Sequence, residues 1–438
     1  MFDKLVELVQ KYAGPVAAKL NSNKEVSAIR DGMIATTPIS IIGAIALIIA
    51  YFPYLDQFAP DLAAWLANSI SQVSSVTIGL LTLVIIVSCA ASYCEQLKLE
   101  KVYGVLVALI AFLLLSNFSY IGDVYVNGEV VKNATVYGVI PTSLFSSTGI
   151  FPCLITTLVS LRLYWFFTKK NLTIKMPDAV PPNVSNSFSS LIPFALVVLI
   201  FLVIRNLFLM TPYLYFPDFI NQVLSQPLLA IGDSVGAVMI FILIQQLLWF
   251  FGIHGANVVG AVWKPLLATM ALANMEAFQA GLPLPYIVSD TFWGVYSAVF
   301  NFSIPLLMVL VCKSIRAKSI GKLSIVPAMF CIHEPFIFGL PVVLNTLLFI
   351  PFIFVYLLQF IVVYLLAVVQ IAPIPVVPVP WTTPLILSGF LSTNFNIMGA
   401  VIQILLIVVG CIGYYPFIKA MDKQFLQEEK KELQEGNA

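Results

Sequence analysis

The stretch WFFGIHGANVVG, residues 249–260, follows directly on an apolar run from about 228 to 250 and carries one of the two histidines in a chain of 438 residues. An apolar run of about 20 residues is the length of a membrane-crossing helix. Gly252 and Gly255 bracket His254 where that run ends, so the sequence interrupts a span and puts an imidazole at the interruption. The other histidine, His333, stands in CIHEPFIFGLP, residues 331–341, beside Glu334 and in another apolar stretch. Both imidazoles lie where the chain is least tolerant of polar groups.

Working outward, the composition agrees. Sixty per cent of the residues are hydrophobic and 10% charged, and the mean hydropathy is +0.98, which sets a soluble domain aside in favour of a polytopic membrane protein. The net charge of +1 excludes nucleic acid as a partner class. The six cysteines, Cys89, Cys94, Cys153, Cys312, Cys331 and Cys411, form no CxxC or Cys/His cluster, so neither a metal site nor a disulfide framework is expected.

Nine apolar runs have about the length of a span: 33–54, 74–94, 101–118, 147–167, 189–211, 228–250, 292–312, 344–371 and 397–418. Two further stretches, 251–291 and 323–343, are apolar but broken by Gly, Pro, His and Glu, and read as discontinuous helices or re-entrant hairpins. Lysines and arginines then set the orientation, because most of the 22 cluster at 4–30, 98–101, 169–175, 313–322 and 419–431. With those clusters cytoplasmic, 251–291 crosses once and 323–343 enters and returns. The fold expected is all-α, with about ten transmembrane helices plus re-entrant hairpins and both termini in the cytoplasm.

The amino-terminal stretch lacks the apolar core of a signal peptide. Residues 1–30 read as an amphipathic cytoplasmic helix lying on the membrane or on its own protein. Residues 31–168 form an amino-terminal transmembrane half. The Pro-, Asn- and Ser-rich 169–188 reads as a cytoplasmic linker. A second half spans 189–420 and a charged tail 421–438.

Ionisable groups within hydrocarbon cost about 2.5–3.5 kcal/mol each on insertion scales, so each needs a partner, a wet cavity or a role. Asp233 and Asp290 read as structural helix-end groups, and Lys264 and Glu276 as a pair. Glu334 precedes Pro335, which disfavours helical geometry at the glutamate and places it in a turn. Two broken helices, each with an ionisable side chain at its break, are what a substrate site near the midplane requires. Trp249, Trp293 and Trp381 flank these stretches, either stacking on a sugar ring or anchoring at the interface. Trp381 is followed by Thr382, Thr383, Ser388, Ser392, Thr393, Asn394 and Asn396, donors and acceptors suited to a hydroxyl-rich solute.

Four motifs in order resemble one family: AIRDGMIATTPISIIGA at 28–44, MPDAVPPNVSNSFSSLIP at 176–193, WFFGIHGANVVG, and HEPFIFGLPVVLN at 333–345. On these the chain resembles enzyme IIC (EIIC), the membrane-embedded sugar permease of the bacterial phosphoenolpyruvate-dependent phosphotransferase system, in its lactose/cellobiose/diacetylchitobiose branch. The resemblance implies a multi-pass protein of the bacterial cell membrane. It implies a homodimer joined through the amino-terminal half and a carboxy-terminal half enclosing one disaccharide. It also implies a separate cytoplasmic EIIB whose phosphocysteine phosphorylates the sugar, itself served by EIIA; no cofactor or metal is called for.

Carried onto this chain, the resemblance makes Glu334 the acceptor for the sugar 6-hydroxyl and candidate general base, with His254 as its orienting catalytic partner. Trp249, Gly255, Asn257, His333, Trp381, Thr382 and Asn394 complete the expected substrate-binding set. His333 stands where the family more often has asparagine. A rival reading from the residues alone is a proton-coupled sugar symporter with Glu334 and His254 as relay. A membrane transferase would need a metal cluster, nucleophile motif or phosphate loop, none of which is found. A haem held between the two histidines would leave Glu334 without a role.

Overall fold

The computed structural model describes residues 22–50, 55–126, 129–174, 176–177, 180–251, 254–340 and 346–435. Residues 1–21 of the expected interfacial helix and 436–438 of the tail lie outside the described residues. Of the described residues, 76% are helical. Long apolar segments give backbone groups no partners except their own, and the helix satisfies them within one segment. Among the described residues seven helices are long and apolar enough to cross a membrane, or eight if the bent pair Phe216–Gly232 and Val235–Phe250, meeting at 71°, is counted as one crossing.

The chain divides into two compact units. One consists of residues 21–46 and 70–231. Its helices are α1 (Lys24–Ala35), the first part of α2 (Thr37–Ala50), the end of α3 (Pro60–Thr77), α4 (Leu81–Leu97), α5 (Lys101–Leu115), α6 (Ile150–Lys169), α7 (Pro182–Leu209) and nearly all of α8 (Phe216–Gly232). Val107, Ala111 and Leu115 of α5, Tyr164 of α6, and Val197 and Phe201 of α7 form a buried cluster in it. Arg205 reaches from α7 to donate to the carbonyls of Leu114 and Ser116 at 2.7 and 2.8 Å, so a guanidinium satisfies the orphan acceptors at the carboxyl end of α5. Glu25 accepts a 2.7 Å hydrogen bond from the Tyr93 hydroxyl, tying α1 to α4. The expected linker 169–188 falls at the junction of α6 and α7 within this unit: Lys169 ends α6, and Pro182 onward already forms the first turns of α7. Proline at the first helical position gives up an N–H that has no helical partner anyway.

One element departs from the all-α expectation. Ser119–Val126 (β1) and Glu129–Tyr137 (β2) pair antiparallel, with Ser119 opposite Tyr137 and Val126 opposite Glu129, and a register irregularity between Gly122 and Val124. The signal was present in SYIGDVYVNGEVVKNATVY: valine, tyrosine and threonine on either side of an Asn-Gly dipeptide, the composition of a hairpin. A span count that follows hydropathy passes over it.

The second unit comprises the described residues of 47–69 and 232–435. It contains α9 (Val235–Phe250), α10 (Gly255–Gln279), α11 (Asp290–Tyr296), α12 (Ser303–Val311), α13 (Ile315–Met329), α14 (Glu334–Gly339), α15 (Thr346–Val368), α16 (Leu387–Ser392) and α17 (Ile397–Glu435). One buried cluster in it joins Trp249, Met308, Ala317, Phe336, Ile337, Leu340, Phe352 and Tyr414, among others. The stretch 251–291, expected as discontinuous helices or a re-entrant hairpin with one net crossing, holds one continuous 25-residue helix, Gly255–Gln279, that runs through Pro265. Lys264 and Glu276 are therefore 12 residues apart on that helix, about 18 Å along its axis. They are too far apart to be the pair expected. Asp233, at the bend between α8 and α9, accepts the Val288 N–H at 3.1 Å, the structural helix-end role. Asp290 is the first residue of α11, after the N-cap Ser289.

The described part of the tail is the end of α17, which runs 39 residues without interruption. Asp422 accepts from the backbone N–H groups of Lys313 and Ser314 and from the Ser314 hydroxyl at 2.8–3.0 Å, capping the start of α13. The Arg316 guanidinium lies over the Phe425 ring at 4.6 Å, and the Arg316 N–H donates to Glu429 at 3.0 Å.

Candidate functional site

Every residue expected to bind substrate falls in the second unit. The first cluster is built on the junction of α9 and α10. Trp249, in the last turn of α9, is 7% exposed. His254 is the N-cap of α10, where its Nδ1 accepts the Asn257 N–H at 3.2 Å. A nitrogen that accepts carries no proton, so the neutral ring is protonated at Nε2. The imidazole lies against Trp249, ring centroids 4.2 Å apart and planes tilted by 46°. Gly255 explains the tightness: a Cβ there would overlap the Gln245 carbonyl oxygen and stand 3.1 Å from the Trp249 ring. Only glycine lets α10 begin this close to α9.

The second cluster lies between α13 and α14. The chain turns at Phe330–His333, with Cys331 in the left-handed region (φ +65). Contrary to the turn expected for the residue before proline, Glu334 is the first residue of α14 and Pro335 lies within its opening turn. Proline is accommodated there because first-turn N–H groups have no helical acceptor. His333 occupies the N-cap position, half-buried, its ring 5.6 Å from Phe336. The break is where the sequence puts it, and the glutamate stands at its downstream edge.

A third segment closes on that turn. The Leu385 N–H donates to the Met329 carbonyl at 3.0 Å, and the Cys331 thiol contacts the Thr383 carbonyl at 3.7 Å. The Thr382 neighbourhood is thereby held beside the approach to Glu334. Trp381 at its head is 69% exposed and joins no aromatic stack among the described residues. Beyond α16, Asn394 and Phe395 are consecutive left-handed residues (φ +54 and +60). The Asn394 Oδ1 is buried without a hydrogen-bond partner among the described residues. Left-handed geometry at non-glycine residues is uncommon, and such strain concentrates where a structure holds a binding surface in place.

The core joins two of these clusters. Trp249 packs in the same buried group as Phe336, Ile337 and Leu340, so the side chain beneath His254 and the helix opened by Glu334 rest on one apolar foundation. Trp293 belongs elsewhere, in a chain of rings with Trp263 (4.8 Å) and Tyr356 (6.2 Å). Sequence reasoning passed over the glutamines. Gln246 donates to the Phe352 carbonyl at 3.0 Å, and Gln403 makes several bonds around Ile386. Their signal was a neutral amide inside an apolar run, which a search confined to ionisable groups misses.

The chain was compared with known proteins. Residues 30–355 match the family described as Phosphotransferase system, EIIC. The oligo-beta-mannoside-specific EIIC component of Bacillus subtilis is 30% identical, covering 99% of this chain and 98% of that protein. The cellobiose-specific EIIC component of Geobacillus stearothermophilus is 33% identical over 98% and 96%. Among solved structures, that of the transporter ChbC, the IIC component from the N,N'-diacetylchitobiose-specific phosphotransferase system, superimposes with a TM-score of 0.89 at 33% identity, covering 97% of this chain and 99% of that one. Family match, full-length relatives and fold agree with the motifs, and the chain belongs to the EIIC family of the phosphotransferase system, multi-pass sugar permeases of the cell membrane.

Proposed function

We propose that this EIIC translocates a β-linked disaccharide of the cellobiose or diacetylchitobiose class and presents its 6-hydroxyl to the phosphocysteine of EIIB. The observation that carries the reading is the shared core beneath two helix breaks, one bearing His254 on Trp249 and the other opening at Glu334. Relatives whose names specify cellobiose, oligo-beta-mannoside and diacetylchitobiose support the substrate class.

In the proposed reaction the 6-hydroxyl oxygen attacks phosphorus, the S–P bond breaks as the O–P bond forms, and the cysteine thiolate leaves on EIIB. The hydroxyl proton passes to the carboxylate of Glu334, the general base. His254, with Nε2 as its protonated nitrogen, donates to the sugar and orients it, while Trp249 and Trp381 offer ring faces to the pyranoses and Thr382, His333, Asn257 and Asn394 offer polar groups. Gly255 contributes by its lack of a side chain. Phosphoryl transfer leaves the protein mainly positioning and charge stabilisation to supply.

The clustering of lysines and arginines supports about ten crossings with both termini cytoplasmic. The reading further includes a homodimer joined through the amino-terminal half, residues 31–168, and EIIA acting through EIIB.

The test is uptake of radiolabelled cellobiose and diacetylchitobiose into proteoliposomes, wild type against Glu334→Gln, with and without phosphorylated EIIB. Phosphosugar that accumulates only with EIIB, and not in the variant, supports group translocation with Glu334 at the reacting hydroxyl. Free sugar accumulating under a proton gradient without EIIB refutes it in favour of symport.

A further inference from the structure

Gln403 lies in the second turn of α17, fully buried at 0% exposure. Its Oε1 accepts the N–H groups of Ile386 at 2.7 Å and Gly389 at 3.0 Å, while its Nε2 donates to the Val295 carbonyl in α11 at 2.7 Å and to the Ser388 hydroxyl at 3.0 Å. Ile386 sits at φ +73 and ψ −49, a conformation that a β-branched residue avoids, so something must hold it there. The preceding residue, Leu385, donates to Met329 at the end of α13, and Thr383 receives the Cys331 thiol contact. One amide thus ties α11 and α17 to a strained turn, and that turn braces the approach to Glu334.

We infer that Gln403 is a positioning residue that locks the Trp381–Ile386 segment against the Met329–Glu334 turn and so sets sugar affinity without touching the sugar. The inference rests on the site assigned under the proposed function. A leucine at 403 would fill the space but leave two N–H groups and one carbonyl without partners in a low-dielectric core.

The test compares wild type with Gln403→Leu for equilibrium binding of cellobiose and diacetylchitobiose, and for the rate at which N-ethylmaleimide labels each cysteine, resolved by peptide mass spectrometry. The expected result is a dissociation constant raised by roughly tenfold or more, the scale set by unsatisfied buried polar groups. Cys331 should label faster while the other five cysteines are unchanged. A constant within about twofold of wild type, or labelling that rises at all six cysteines together, overturns the inference. Should Gln403→Leu fail to fold, Gln403→Glu keeps an oxygen acceptor for Ile386 and Gly389 and is expected to keep Cys331 protected; a readily labelled Cys331 in that variant also overturns it. Trp381→Ala and Glu334→Gln run alongside. If both bind sugar like wild type, the site reading fails; if they lose binding and Gln403→Leu does not, only the role of Gln403 fails.

Discussion

Replacing Gly255 with alanine adds one methyl group, and its consequence can be worked from the geometry. The new Cβ overlaps the backbone carbonyl oxygen of Gln245, which cannot rotate away, and stands 3.1 Å from Trp249. Relief requires the start of α10 to withdraw from α9 by about 1 Å, at a cost of roughly 1–3 kcal/mol for overpacking a buried contact. His254 moves with it, because its Nδ1 is bound to the N–H of Asn257 in the first turn of α10. A shift of about 1 Å at a positioned group can lower reactivity roughly a hundredfold. EIIB-dependent sugar phosphorylation is expected to fall by about that factor, and sugar affinity, measured by equilibrium binding, by roughly tenfold. Gly260 on the same helix is the control, since a Cβ there meets nothing within 4 Å. Gly260→Ala should leave binding unchanged and stability unchanged or higher by about 0.5–1 kcal/mol. If Gly255→Ala binds and phosphorylates sugar like Gly260→Ala, the close approach of α9 and α10 does not position His254 and the reasoning is refuted.

Asp422→Ala removes the acceptor of the backbone N–H groups of Lys313 and Ser314 and should destabilise the protein by about 1–3 kcal/mol in a detergent unfolding assay, with Asp422→Asn losing less. An unchanged midpoint would show that the start of α13 is held by other contacts. The Tyr93 hydroxyl holds the Glu25 carboxyl below its ordinary value of 4.5. A depressed folded-state value means stability that is complete above pH 4.5 and lost as the pH falls through the folded value. Thermal midpoints should therefore show an acid-side decline that is smaller in Glu25→Gln, and modest because the carboxylate is partly exposed; identical profiles for the two proteins would count against this. Arg205→Met leaves the Leu114 and Ser116 carbonyls without their guanidinium donor, so hydrogen exchange in the last turn of α5 should accelerate relative to its first turn.

What could be read in advance was whatever is local. Apolar runs and their interruptions by Gly252, Gly255, His333 and Pro335 are properties of neighbouring residues, and both breaks occur within a few residues of the places expected. Less local features were misread. The run 251–291 reads as broken because Gly, Pro, His and Glu punctuate it, yet proline within a membrane helix is tolerated when neighbouring groups satisfy the carbonyl it frees. Here α10 runs on through Pro265 to Gln279 without a break. The partners of Gln403 lie 14 to 108 residues away in sequence, so its role depends on which segments the fold brings together.

Those long-range bonds have a common geometry. A chain that interrupts its helices inside a membrane must find protein partners for every backbone group it frees. Along α17 such partners recur. Gln403 serves the turn at Ile386, while the α17 carbonyls of Leu406 and Ile407 accept from the side chains of Gln359 in α15 and Ser303 in α12. Lys419 donates to the Val311 carbonyl, and Asp422 caps α13. One uninterrupted helix therefore meets discontinuous elements at successive levels, with neutral amides and hydroxyls in the apolar run and charges only where the run ends. Unpaired ions would be costly at the first levels, whereas an amide can accept and donate at once without carrying charge. Side chains of one continuous helix thus satisfy backbone groups freed at the turn before α16, at the end of α12 and at the start of α13.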